Sequence, residues 1–202
     1  MNKILNKTNL NAGFLTSDEL SEFGIFDATE RNIRIHSTAV IVNMNNIHFG
    51  ENIRIDPNVV ISCSDLKLAS NIHIATGCGI FGTAKISIGE FTSISGHCLI
   101  YSSSDDYSGK ALSSGTVPNE FTYVYHGNVS IGRHALLGAR CTVLPGAKIG
   151  EGAAVGSSSL ISSDLPPWTI SVGTPAKPIK ERSQECLKSE LDYIKWKEAH
   201  DV

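Results

Sequence analysis

One histidine and two carboxylates bracket the longest irregular stretch of this 202-residue chain. His126 lies near the end of a segment that Asp105 and Asp106 open. A histidine has an unperturbed pKa near 6.5, so it can accept a proton near neutral pH, and a carboxylate partner would orient it. Asp105, Asp106 and His126 are therefore the candidate catalytic group. The segment leaves and re-enters the same corner of a regular repeat, which brings its ends together and permits an Asp–His pair. The plainer reading, an Asp-Asp turn and a surface histidine, uses aspartate equally well. Tyr101, Tyr107, Tyr123 and Tyr125 accompany the segment and can stack on an acceptor ring or pack the loop. His73 faces outward from a flat side, in register with Arg54, Ser93 and Leu136, where it can line a groove.

The element that must position these groups is a six-residue grid of inward apolar residues. Its first column is Ile35, Ile55, Ile74, Ile94, Leu137 and Val155. Its second is Ile41, Ile61, Ile80, Ile100, Val143 and Ile161, and its third is Phe49, Leu68, Ile88, Ile131 and Ile149. A repeat this short cannot bury its own apolar face, so successive coils must stack. Three six-residue sides make a triangular coil. A little over five coils predict a prism about 25 Å tall, with parallel strands about 4.8 Å apart. Strand alternation also turns inward the residue two before each grid position. In the second column that residue is Ala39, Val59, Cys78, Cys98, Cys141 or Ser159, so three cysteines act as small buried hydrophobes. No C-x-x-C spacing argues for a metal or a disulfide.

Every departure from the grid falls in the step from the second column to the third. The longest runs from Ile100 to Ile131, an insertion over 102–128. Long insertions in compact repeats are usually functional or disordered. The expected organisation is a cap segment over 1–30, a β-helix over 31–165 and a tail with a helix over 166–202. Thr16 and Glu19 form a capping-box pattern ahead of Leu20 and Phe23, with Gly24 as a stop. Leu187, Leu191 and Ile194 recur at helical spacing near the end.

A net charge of −3 supplies no basic footprint for nucleic acid. No apolar run approaches a membrane span and the start lacks a signal-peptide core, so a cytoplasmic location is expected. No H-x₃₋₅-H pair is present, and no metal is expected.

The stretches Ile131-Gly132-Arg133-His134-Ala135-Leu136-Leu137-Gly138-Ala139 and Val143-Leu144-Pro145-Gly146-Ala147-Lys148-Ile149-Gly150 resemble the hexapeptide-repeat acyltransferases. The tail Gly173-Thr174-Pro175-Ala176-Lys177 strengthens the resemblance. Residues 101–109 are similar to a branch of sugar or galactoside O-acetyltransferases, and other relatives acetylate aminosugars. The resemblance implies an all-β fold, a left-handed parallel β-helix with a short N-terminal helix and a C-terminal helix. It also implies a homotrimer with sites in the grooves between prisms, and acetyl-CoA as acyl donor. Gly138, Ala139, Ser157 and Ser158 would line the coenzyme arm, and Lys177, Lys180 and Arg182 would meet its phosphates. A loop histidine commonly serves as base, although this chain carries Ser102-Ser103-Ser104-Asp105-Asp106 where familiar members have a histidine. The implied function is acetyl transfer to a sugar hydroxyl or amine, as in surface-polysaccharide biosynthesis, by direct general-base-assisted attack. His73, Tyr101, Tyr107 and Tyr125 would contact that acceptor. Alternatives are a non-catalytic β-helix scaffold and a metal-dependent hydratase on the same fold.

Overall fold

A computed structural model describes residues 13–200. The remainder of the expected cap segment, residues 1–12, lies outside them. Three parallel walls form the prism. The first stacks Ile33–Ile35, Ile53–Ile55, Ile72–Ile74, Ser93–Ile94, Leu136–Leu137, Ala154–Val155 and Thr169–Gly173, with Ala176–Glu181 added antiparallel. The second runs from Val40–Val42 to Leu160–Ile161, and the third from Ile47–Phe49 to Lys148–Ile149. Register follows the grid, since Ile35 pairs with Ile55, Ile55 with Ile74 and Ile94 with Leu137.

The stack outlasts the grid. Ile149 bridges to Leu165, and Val155 pairs with Ser171, giving the first wall seven parallel levels. The sequence conceals the last level because the corner after Ile161 is shortened and a serine takes the inward place. Ile53, Ile55, Ile61, Leu66 and Ile74 are fully buried, and each such side chain contributes about 1.5–3 kcal/mol. Cys78, Cys98 and Cys141 are buried, with their thiols donating to the carbonyls of Ser95, Gly138 and Gly156. Burial pushes the Cys63 thiol up to about 11.

Corner glycines answer to crowding between coils. A Cβ on Gly132 would lie 2.6 Å from the Glu151 amide nitrogen. The following corner position is left-handed in Asn32, Asn52, Asn71, Phe91, His134 and Trp168. The asparagines among them form a side-chain ladder, with 2.7 Å bonds from Asn32 to Asn52 and from Asn52 to Asn71.

Helix α1 (Ser17–Glu22) has its capping box, formed by Thr16 and Glu19. Leu20 is buried, but Phe23 is exposed because the helix ends there and turns it outward. Helix α2 (Cys186–His200) also corrects the sequence expectation. Its inward face is Glu190, Tyr193 and Lys197, which bond or pair with Arg133 and His134, Asn71, and Glu51 respectively. Leu191 and Ile194 stay exposed, because the corner they would cover offers polar and ring groups. Among the described residues, no helix is long and apolar enough to cross a membrane.

Candidate active site

The insertion leaves the second wall as a hairpin. Ser103–Asp105 pairs antiparallel with Val124–His126, placing Ser103 opposite His126, Ser104 opposite Tyr125 and Asp105 opposite Val124. Ser102 anchors the stem, its buried hydroxyl donating to the Ala84 carbonyl at 2.7 Å. The ends of the insertion therefore meet, as chain closure requires.

The anticipated Asp–His pair does not form. His126 Nδ1 bonds the Thr83 hydroxyl at 2.7 Å. Asp106 is spent on its own loop, accepting from the amides of Ser108, Lys110 and Ala111. The Ser108 hydroxyl first, and then these backbone amides, hold its carboxyl below the usual range. Register explains the outcome: Asp105 is displaced two residues from the Ser103–His126 rung. It nevertheless shares a hairpin face with His126, because opposed residues and their i+2 neighbours point the same way.

Beside the hairpin, against the outer side of the second wall, lies a cleft of 450 Å³. Leu99, Tyr101, Asp105, Tyr107, Thr142 and Leu144 help line it. Tyr101 is held by stacking on Phe81, with centroids 5.5 Å apart. Tyr107 is 95% exposed, so this wall of the cleft is open to a neighbour. Tyr125 is outside the cleft lining, and its hydroxyl would lie 3.2 Å from a Cβ added to Gly146.

A carboxylate–imidazole pair forms instead on the first wall. His73 Nε2 lies 2.8 Å from Asp56 Oδ2, while Arg54 Nε donates to Asp56 Oδ1 at 2.7 Å. Burial alone would raise the Asp56 carboxyl. Hydrogen bonds from His73 and Arg54, with their charge, outweigh it and hold the group below its ordinary value. Sequence reasoning placed His73 in register with Arg54 but missed Asp56. Its signal was the Arg54-Ile55-Asp56 spacing, which carries a strand-face cation to a corner carboxylate.

Gly138 and Ala139 form the corner between the first and second walls, with Ser157 and Ser158 one coil further on. Ser158 donates its amide to the Ala139 carbonyl at 2.8 Å, and a Cβ on Gly138 would meet the Ser157 amide nitrogen at 2.6 Å. The stacked corner thus presents backbone and small side chains, suited to a slender arm. Lys177 and Lys180 are exposed on the antiparallel strand. Arg182 Nη1 donates to the carbonyls of His134 and Gly152, which fixes its guanidinium beside the last coils.

Comparison with known proteins decides the family. The bacterial transferase hexapeptide (six repeats) profile matches residues 128–163. A dTDP-4-amino-4,6-dideoxy-D-glucose acyltransferase from Escherichia coli is 38% identical over 179 residues, covering 88% of this chain and 93% of that protein. This chain belongs to the hexapeptide-repeat acyltransferases. Its prism is accordingly their left-handed parallel β-helix. A serine-to-cysteine mutant of AntD, an N-acyltransferase from Bacillus cereus, solved with dTDP-4-amino-4,6-dideoxyglucose and coenzyme A, superposes with a TM-score of 0.85 at 32% identity, covering 93% of this chain and 99% of that one. WbbJ of Escherichia coli K12, a putative lipopolysaccharide biosynthesis O-acetyl transferase, is 30% identical over 77% of this chain and 82% of its own.

Proposed function

We propose that this acyltransferase moves an acetyl group from acetyl-CoA to the amino group of a nucleotide-linked 4-aminosugar destined for a surface polysaccharide. The carrying observation is the 38% identity, over 88% of the chain, with an acyltransferase named for such a sugar. Asp105 in the cleft favours an amine over a hydroxyl, since a carboxylate complements an ammonium and takes its N–H bonds. Tyr101 and Tyr107 supply ring faces for the sugar.

In this reading two copies of a homotrimer meet across a groove. The hairpin of one faces the corner of Gly138, Ala139, Ser157 and Ser158 on the next, where the pantetheine arm lies, with Lys177 and Lys180 toward its phosphates. The deprotonated amine attacks the thioester carbonyl and the C–S bond breaks, releasing coenzyme A. His126, its Nδ1 held by Thr83, takes the amine proton through Nε2. Backbone N–H groups of the late coils receive the developing oxyanion. In this reading the co-substrates, an acyl-CoA and a nucleotide sugar, favour a cytoplasmic reaction. Thermal denaturation with coenzyme A tests the reading, because a ligand at 100 times its Kd adds about 2.7 kcal/mol to native stability. A raised Tm is expected, and an unmoved Tm at millimolar coenzyme A returns the chain to the scaffold reading.

A further inference from the structure

The outer face of the first wall carries a column of polar and charged side chains. In-register pairing stacks Arg34, Arg54, His73, Ser93 and Leu136, one per level, at the outward position. At about 4.8 Å per level the column spans roughly 19 Å. It grades from two guanidiniums through an imidazole and a hydroxyl to an apolar side chain. Like charges directly opposed across a strand pair destabilise a sheet, so Arg34 beside Arg54 costs the free protein stability.

One carboxylate answers this charge, and it also sets the geometry. Asp56 engages only Nε of Arg54, leaving the terminal amino groups of the fork, and holds the His73 ring by Nε2, leaving Nδ1 out of that bond. Among the described residues the Arg34 side chain makes no hydrogen bond or ion pair. The Arg54 guanidinium is backed by the Phe14 ring at 5.5 Å, a packing that keeps the planar fork in place. Planar forks on a rigid wall suit bidentate capture of phosphate oxygens. The apolar end of the column runs from Leu136 directly into the Gly138–Ala139 corner.

We propose that Arg34, Arg54 and His73 form an anion ladder that binds the diphosphate of the nucleotide-linked acceptor, with the sugar directed along the wall toward Ser93 and the thioester. This inference rests on the acceptor class proposed above and adds to it the subsite that selects a nucleotide-linked sugar over a free one. The ladder and the Asp105 cleft occupy different walls, and both reach one acceptor when two copies face each other across the groove.

The test is calorimetric titration of thymidine diphosphate into the full chain and into Arg34→Gln, Arg54→Gln and Lys188→Gln, the last on α2 and off this wall. Arg34→Gln should weaken binding by roughly tenfold or more, the size of a lost charge-assisted bond, and Arg34→Lys should recover part of it. Arg54→Gln should weaken binding likewise, and Lys188→Gln should bind as the parent does. In steady state, KM for the nucleotide-linked aminosugar should rise in parallel while KM for acetyl-CoA holds. Unchanged affinity and KM in Arg34→Gln overturn the ladder and leave acyl transfer standing. If the parent turns over nucleotide-linked sugars without binding the diphosphate, the ladder also fails. If it turns over no nucleotide-linked sugar, the ladder falls together with the proposed acceptor.

Discussion

Asp56 is a buried-edge carboxylate whose protonation the fold should feel. Its carboxyl is held below the usual value, so the stabilisation is present above the unfolded pKa near 3.9 and is lost as pH falls through the folded one. Asp56→Asn should cost about 1–3 kcal/mol at pH 7, as expected for a nearly buried, doubly bonded acceptor. Urea unfolding of the two proteins should show that gap shrinking below about pH 4, and a pH-independent gap would contradict the ion-pair account. His126 belongs to the chemistry in our reading. His126→Ala should therefore lower kcat by about 10²–10⁴ with an unchanged Tm, since its one bond is to a surface threonine. Near-parental turnover would remove it as base and leave Asp105 as the hairpin group facing the amine.

At the scale of elements, the walls were legible in the sequence and their dressings were not. A six-residue apolar period admits few packings, so Ile35 through Val155 declare their register. The same regularity hid Ser171, which continues the stack with a polar inward residue. Helix α2 was misread for a related reason: helical spacing identified Leu187, Leu191 and Ile194, but not that the surface beneath would be polar and aromatic. The face that docks is held by Glu190, which binds both Arg133 and a buried His134 stacked on Phe91. Removing one partner of a buried ion pair typically costs about 3–5 kcal/mol. Glu190→Ala should accordingly raise amide hydrogen exchange throughout α2 while the inner wall strands keep their protection. Uniform protection in both proteins would show that the helix is held by something else. The hairpin teaches the same lesson, because chain closure predicted that its ends meet but could not predict a register that separates Asp105 from His126.

At the scale of the whole molecule, the cleft is open on the side of Tyr107 and the late-coil corner presents a bare, close-stacked edge. Both are completed by a second prism in our reading. Sedimentation equilibrium should return three times the chain mass of 21.7 kDa, and a monomer at catalytic concentrations would break the shared-groove geometry. The central claim is amide formation on a nucleotide-linked amine, and product analysis tests it most directly. The purified chain is incubated with acetyl-CoA and a thymidine-diphosphate-linked 4-amino-4,6-dideoxy sugar, and the product is examined by mass spectrometry and NMR. The account predicts one acetyl group on the sugar nitrogen and one equivalent of free coenzyme A. Acetylation of a hydroxyl with the amine untouched, or intact acetyl-CoA beside unchanged sugar, would contradict it.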